Sequence, residues 1–412
     1  MRILVVNNLY PPHYVGGYEL HCEQIAEGLR ARGHEVHVLT SDFATSRPAI
    51  PQPHLHRILR IHGMFGNPWL PIHKLEKLER HNNQQLRALL RSFRPDLVYG
   101  WNFSGLSKSM LFTLQELEVP TVFAVCDHWL ARAGESDVWL RWWNRKTQST
   151  KNRLLRAVWI ATGHRRRVQA VAPTNPVEQL RFPRIYFCSN SLRDFTVAAG
   201  ADVKHGAVIY CPINTSRFQS TPKPAEAPVR RLLYVGRLHE DKGVMTALRA
   251  MYVIKGKFDG ILSIYGSGSP DYERKLKDLV RNQNLPVQFF SALSPPEMPE
   301  VYAAHDALLF PSEWPEPFAL TPLEAMASGL PVIGTTTGGS IELFRDHKNC
   351  LTYNAGDFEH LAECITELVS DRSMRVKIAT LGQQEVRARF AEPVILDQVE
   401  QYLKETLHKA HA

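Results

Sequence analysis

The 412-residue sequence has no run of about 18 apolar residues, so no transmembrane helix is expected. Its six cysteines (Cys22, Cys126, Cys188, Cys211, Cys350 and Cys364) are scattered, with no Cys-x-x-Cys pair. That spacing argues against a zinc ribbon and a disulfide framework, and favours a reducing cytoplasm. No Asp-x-Asp occurs, so the usual carboxylate pair for a Mg²⁺ or Mn²⁺ diphosphate complex is missing. Neither a Walker-type phosphate loop nor a Gly-x-Ser-x-Gly elbow is present. Repeats of solenoid length and low-complexity tails are also lacking. The opening MRILVVNNLYPPHYVGGYEL has too short an apolar stretch for a signal peptide and reads as a buried strand.

What is present is an ordinary globular composition, 44% hydrophobic and 22% charged. The length predicts two domains, or three small ones. With 49 Lys and Arg against 41 Asp and Glu, the net charge of +8 suits anionic partners without choosing among phosphates, acidic lipids and nucleic acid.

Both halves open alike. RILVVNN (2–8) reads as a strand and is followed by a Pro/Gly loop. From Tyr18 to Arg32 a helical pattern places Cys22, Ile25, Ala26 and Leu29 on one face, and EVHVLTS (35–41) is the next strand. In the second half RLLYVGRL, GVMTALRAM and ILSIYG repeat the strand–helix–strand unit. Alternating elements continue to PVIGTT near residue 335. Such alternation implies parallel sheets covered by helices on both faces. The Pro-rich stretch 213–229 is the expected joint, and the final helix runs through PVILDQVEQYLKETLHK.

Residues 141–170 carry nine Lys and Arg and no acidic residue, with Trp142, Trp143 and Trp159 interleaved. That composition suits an anionic membrane surface, or equally a solvated basic face whose tryptophans pack inward.

Four groups fall at the carboxyl ends of expected strands, where open α/β sheets bind ligands. Gly16 and Gly17 precede the first helix, a place for close backbone approach and phosphate binding, or only a flexible turn. Arg237 and Lys242 lie in VGRLHEDKG, where a guanidinium fork and a point charge could neutralise phosphate oxygens. YGSGSP, containing Gly266, suits a tight turn beside a base or ribose. In EPFALTPLEAMASG, Glu316 and Glu324 bracket seven residues, and Thr321-x-x-Glu324 matches a capping box with Pro322 at the first helical position. Glu324 therefore reads either as a cap or as a sugar ligand, and Glu316 as a carboxylate able to accept from two hydroxyls.

On these motifs the chain resembles the family 4 retaining glycosyltransferases of the GT-B fold, most strongly from Arg231 to about Asp357. The resemblance implies an α/β protein of two Rossmann-like domains with parallel sheets facing a central cleft. The expected bounds are 1–208 on the acceptor side, 209–390 on the nucleotide-sugar side, and a helix over 391–412 returning to the first domain. It further implies that Arg237 and Lys242 hold a diphosphate, Glu324 ribose hydroxyls and Glu316 the transferred sugar. Gly16, Gly17, Gly266, Ala292, Leu293 and the backbone of Phe318, Ala319, Leu320 and Thr321 complete the donor site.

The sequence departs from the family pattern in FAVCDHWL, where Cys126 stands in place of the expected His, followed by Asp127 and His128. These two are candidates for orienting the acceptor, with a turn residue and a packed ring as the alternatives. Ala319 replaces a frequent Gly, and Cys211-Pro212 an Asn/His-Gly.

The expected reaction is metal-independent, retaining transfer from a nucleotide-diphosphate sugar, with UDP-sugars favoured, to a hydroxyl acceptor, in surface polysaccharide, glycolipid or small-glycoside synthesis. No cofactor and no nucleic-acid partner are expected. The location expected is cytoplasmic, with segment 141–167 offering attachment to the inner membrane face. The acceptor loops would be 46–71 and 127–167. The competing readings are a GT-B nucleotide-sugar 2-epimerase and a non-catalytic protein binding anionic membranes or nucleic acid.

Overall fold

The computed structural model describes residues 1–45, 47, 48, 50–145 and 149–411. Ser46 of the expected acceptor loop and Lys146 of the basic segment lie outside the described residues. The chain divides into two units, one of Met1–Ile209 with Leu396–Ala412, the other of Tyr210–Ile395.

The first unit holds a seven-stranded parallel sheet. Its strands in chain order are β1 (Arg2–Val6), β2 (Glu35–Ser41), β3 (Leu55–Leu59), β4 (Leu97–Gly100), β5 (Thr121–Val125), β6 (Ile185–Phe187) and β7 (Ala207–Val208). They lie side by side as β3-β2-β1-β4-β5-β6-β7. The strands are apolar because helices cover both faces of the sheet. Ile3, Leu4 and Val5 are fully buried, and so are Cys22, Ile25, Ala26 and Leu29 along the inner side of helix Gly17–Ala31.

The second unit has a six-stranded parallel sheet of β8 (Arg231–Val235), β9 (Ile261–Tyr265), β10 (Val287–Phe290), β11 (Ala307–Phe310), β12 (Val332–Thr335) and β13 (Leu351–Tyr353), ordered β10-β9-β8-β11-β12-β13. Its core gathers Leu232, Leu262, Ile264 and Leu309 with Ala247, Leu248, Leu361 and Ile365 from the covering helices.

In each sheet the chain builds outward in one direction, returns to the centre and builds outward in the other. The reversal lies between β1 and β4 in the first unit and between β8 and β11 in the second. At such a point the loops leaving two neighbouring strands diverge and open a crevice at the sheet's carboxyl edge.

The stretch 213–229 belongs wholly to the second unit, a correction to its reading as the joint. Ile213 N–H donates to Phe390 O at 2.8 Å, Gln383 donates to Ser220 O, and Arg375 donates to the carbonyls of Ala225 and Ala227. Prolines remove donors from this stretch, and side chains of helix Arg372–Arg389 satisfy its carbonyls instead.

The tryptophans of the basic segment pack inward. Trp139, Trp142 and Trp143, on helix Val138–Asn144, are buried with Leu75, Phe112 and Val168, and Trp159 leans on them. Arg156 donates to the carbonyls of Trp142, Trp143 and Arg145, so one cation closes the end of that helix.

Helix Glu392–His411 belongs from Leu396 onward to the first unit. Gly28 makes room for it, since a Cβ there would fall 2.5 Å from Leu396 Cδ1. Tyr402 OH donates to Ile185 O at 2.9 Å, and the Arg184 guanidinium lies 4.0 Å from the Tyr402 ring. Glu400 accepts from Arg32 at 2.8 Å, contacts His34 at 3.2 Å and pairs with Lys404 at 2.5 Å. This network holds its carboxyl far below the usual range, at about 2. Glu400→Ala should destabilise the first unit by about 1–2 kcal/mol. Urea unfolding at neutral pH measures this, and an unchanged midpoint would contradict the role given to Glu400.

Candidate active site

Five of the loops that follow strands carry the sequence's candidate donor residues, and four of these strands, β10, β9, β8 and β11, are consecutive in one sheet. The loop after β8 is latched by Tyr234, whose hydroxyl donates to Arg237 O at 2.8 Å. It passes through exposed Arg237 into the short turn Glu240–Lys242 and helix Val244–Val253. Gly243, at φ +66°, lets the helix start sit against β11. A Cβ there would lie 1.8 Å from Pro311 O. The loop after β9 comes equally close, for a Cβ on Gly266 would fall 1.9 Å from Gly236 O. Gly266 N–H donates to Phe290 O at the end of β10, where the chain continues through Ala292 and Leu293.

The loop after β11 is fixed from both sides. Glu313 and Trp314 donate their N–H groups to Asp241 O at 2.9 and 3.0 Å, and Thr246 donates to Glu313 at 2.6 Å. Thr335, the last residue of β12, and Thr337 just beyond it donate to Ser312 O. Gly338, at φ +56°, packs so closely that a Cβ would lie 2.3 Å from Glu316 O, and Gly339 N–H donates to that oxygen.

At the centre Lys242 Nζ meets Glu316 Oε1 at 2.5 Å, while Ser312 donates to the same oxygen at 2.9 Å. Both charged side chains are 15% exposed. The pair is thus partly withdrawn from water but still open, at the reversal between β8 and β11.

Glu324 does not form the expected capping box. Helix Leu320–Ala327 begins two residues earlier than the motif suggests, with Ala319 at the N-cap and no side-chain cap. Thr321 therefore lies inside the first turn, and Glu324 turns away to accept from the Tyr302 hydroxyl at 2.7 Å. The uncapped first amides of this helix, at Leu320 and Thr321, are donors of the kind that bind anions. Phe318 is buried, its ring 5.3 Å from Tyr210 and 5.7 Å from Phe390, so it anchors the loop.

Burial pushes the Glu324 carboxyl up to about 7.

In the first unit the reversal between β1 and β4 is lined by residues that sequence reasoning overlooked. Asn8 N–H donates to Asn102 O at 2.9 Å, Asn102 N–H to Asn7 Oδ1 at 3.0 Å, and Asn102 Nδ2 to Asp127 Oδ2 at 3.0 Å. Trp129 N–H donates to Asp127 Oδ1 at 2.7 Å. Burial lifts the Asp127 carboxyl to about 6 despite these donors. His128 stacks edgewise on Phe195, centroids 4.7 Å apart, and so faces helix Asn190–Ala198.

Gly16, at φ −149°, needs no special backbone freedom. Its N–H donates at 2.8 Å to buried Glu19, whose carboxylate lies over the start of the Gly17–Ala31 helix. Burial, chiefly, raises the Glu19 pKa. A Gly-Gly-x-Glu reading of the sequence could have found this cap, for Glu19 stands at the third helical position.

Known proteins are similar over the whole of this architecture. The model of Glycosyltransferase Family 4 matches residues 15–217, and that of Glycosyl transferases group 1 matches residues 216–385. The chain belongs to the glycosyltransferases of this GT-B type.

A GDP-mannose-dependent alpha-mannosyltransferase of Mycolicibacterium smegmatis is 28% identical over 408 residues, covering 97% of this chain and 96% of that protein. Spore coat protein SA of Bacillus subtilis is 29% identical over 211 residues, 47% of this chain, and the match spans about half (54%) of that relative. Among solved structures, sucrose-phosphate synthase of Thermosynechococcus elongatus superposes with a TM-score of 0.71 at 20% identity, covering 99% of both chains. Anabaena HepE in complex with UDP-glucose gives 0.68 at 19% identity, over 98% of this chain and all of the other. At these identities the superpositions establish the fold.

The raised Glu324 carboxyl sets a pH-dependent penalty. Between about 4.5 and 7 the unfolded chain ionises this group while the folded chain keeps its proton, so stability falls as pH rises through that window. The loss amounts to about 3 kcal/mol. Glu324→Gln, which can still accept from Tyr302, should therefore match the parent near pH 4.5 and melt several degrees higher at pH 8. Calorimetry at the two pH values checks this, and equal shifts at both would refute it.

Proposed function

We propose that this glycosyltransferase moves a sugar, with retention at the anomeric carbon, from a nucleotide-diphosphate sugar to a hydroxyl acceptor, without a required metal. The Lys242–Glu316 pair at the β8–β11 reversal carries the proposal. In its resting form the ammonium and carboxylate satisfy one another. A diphosphate sugar can take over both, its phosphate oxygens accepting from Lys242 and its hydroxyls donating to Glu316.

Arg237 and the first amides of helix Leu320–Ala327 add further positive potential where charge builds on the departing diphosphate. Lacking an Asp-x-Asp pair, the chain would draw this stabilisation from its own cations and amide dipoles. Glu324, held by Tyr302, is proposed to accept from the ribose hydroxyls, and Gly266, Ala292 and Leu293 to flank the base.

In the first unit, Asp127 fits the role of orienting the acceptor hydroxyl, since its carboxyl is fixed by two donors. His128, packed on Phe195, serves to hold that segment in place. A UDP-sugar is favoured as donor, in keeping with the HepE likeness. Surface polysaccharide, glycolipid or small-glycoside synthesis is the proposed setting.

A panel of nucleotide sugars screened by thermal shift should yield one that stabilises the protein by mass action. With that donor, Lys242→Ala and Glu316→Gln should each lower kcat by about 10²–10³-fold while leaving the fold intact. NMR of the product should show the donor's anomeric configuration. Full activity in either variant, or inversion, would overturn the respective part of the proposal.

A further inference from the structure

The helix Thr150–Ala161 has an inner and an outer side that differ from an ordinary surface helix. Inward, Leu155 and Trp159 lie against the cluster of Trp139, Trp142 and Trp143. Outward, Leu154 is 68% exposed and Val158 48%, and Ala161 is exposed as well. These three stand at i, i+4 and i+7 and form a stripe along the solvent side. Ile160 adds a further apolar side chain, 50% exposed. No residue of this helix is buried. Surface helices normally place polar residues where this one places leucine and valine.

The charges carried by the segment itself are all of one sign. Lys151 and Arg153 are exposed on the same helix, and Arg166 and Arg167 on the following helix, His164–Gln169. No acidic residue occurs anywhere from 141 to 170. A protein partner would require a complementary acidic and apolar face. A bilayer with anionic headgroups supplies both chemistries along a plane, with phosphates for the cations and acyl chains for the stripe.

Arg156, through the carbonyls of Trp142, Trp143 and Arg145, and the inward Leu155 and Trp159 tie this helix down, and the next helix, His164–Gln169, is tied in turn. His164 bonds Glu76 of helix Ile72–Phe93 at 2.9 Å, and Arg165 donates to Thr174. The stripe is therefore presented on a rigid base.

We infer that the outer face of Thr150–Ala161 is a docking surface for an anionic lipid bilayer, with Leu154 and Val158 entering the interface and Lys151, Arg153, Arg166 and Arg167 meeting headgroup phosphates. The tryptophans, which composition alone would nominate as anchors, form the floor beneath it.

Flotation with phosphatidylcholine vesicles, with and without a large share of phosphatidylglycerol, tests this on the whole protein. Binding is expected only to the anionic vesicles and should fall with salt. Leu154→Glu with Val158→Glu should abolish it without moving the melting temperature, since both positions are exposed. Lys151→Ala and Arg153→Ala should each weaken it roughly fivefold. Leu117→Glu, at an apolar position exposed elsewhere in the same unit, should leave it unchanged. Equal binding to neutral vesicles, unaltered binding by the Leu154/Val158 variant, or a solution dimer dissolved by that variant would overturn the inference. Donor binding by the second unit serves as an independent check, so failure here leaves the glycosyltransferase reading standing.

Discussion

An ammonium and a carboxylate 2.5 Å apart, between the ends of two adjacent strands, are the constraint around which the second unit is built. Lys242 reaches its partner only because Gly243 allows the following helix to start against the Pro311 carbonyl. Glu316 is held in reach because its own carbonyl is seized by the loop after β12, through Gly338 and Gly339. Ser312 and Glu313 pin the intervening turn. Each of these supports is a backbone contact too close for a side chain, or a hydroxyl on a carbonyl. A site that must keep two opposite charges near each other, yet available, needs such rigidity. Otherwise the pair would either collapse fully or be lost to solvent.

Much of this was legible in the sequence, for identifiable reasons. Strand–helix alternation is strong wherever strands are buried on both faces, so β8, β9, β11 and β12 announce themselves as continuous apolar runs. β13, Leu351–Tyr353, is three residues long and lies at the sheet edge, too short to show a period. Charged motif residues at strand ends were readable because the fold itself places ligands there. The Thr321–Glu324 motif misled for a specific reason. The helix begins at Leu320, so Thr321 is already inside the first turn, and Tyr302, nineteen positions earlier in the chain, takes the glutamate instead. Local spacing could not reveal a partner on another helix.

The first unit resisted reading for a different reason. Its reversal point is lined by Asn7, Asn8 and Asn102, which gather beside the sequence's own candidate Asp127, and their significance depends on β1 and β4 being neighbours although about ninety residues separate them. Asparagines in sequence read as turn formers. Only the sheet order turns them into a connected set of donors and acceptors. The tryptophans of the basic segment posed the converse problem, because a composition that fits a membrane surface also fits a buried aromatic cluster. Side-chain direction alone separates the two.

The two reversal points differ in electrostatic character, and that difference suits the two halves of the proposed transfer. In the second unit a lysine, an arginine and uncapped helix amides create positive potential, fitting a substrate whose leaving group carries negative charge. In the first unit, carboxyls pushed upward by burial, Asp127 and Glu19, sit among neutral amides. Negative or proton-sharing groups there would repel a diphosphate and favour a neutral hydroxyl that can donate. Glu19 makes the point most directly, since it occupies the helix start that the paired glycines would otherwise offer to a phosphate. With that helix end already satisfied by the chain's own carboxylate, it has little left to offer an anion, in keeping with the proposal that the second unit holds the diphosphate.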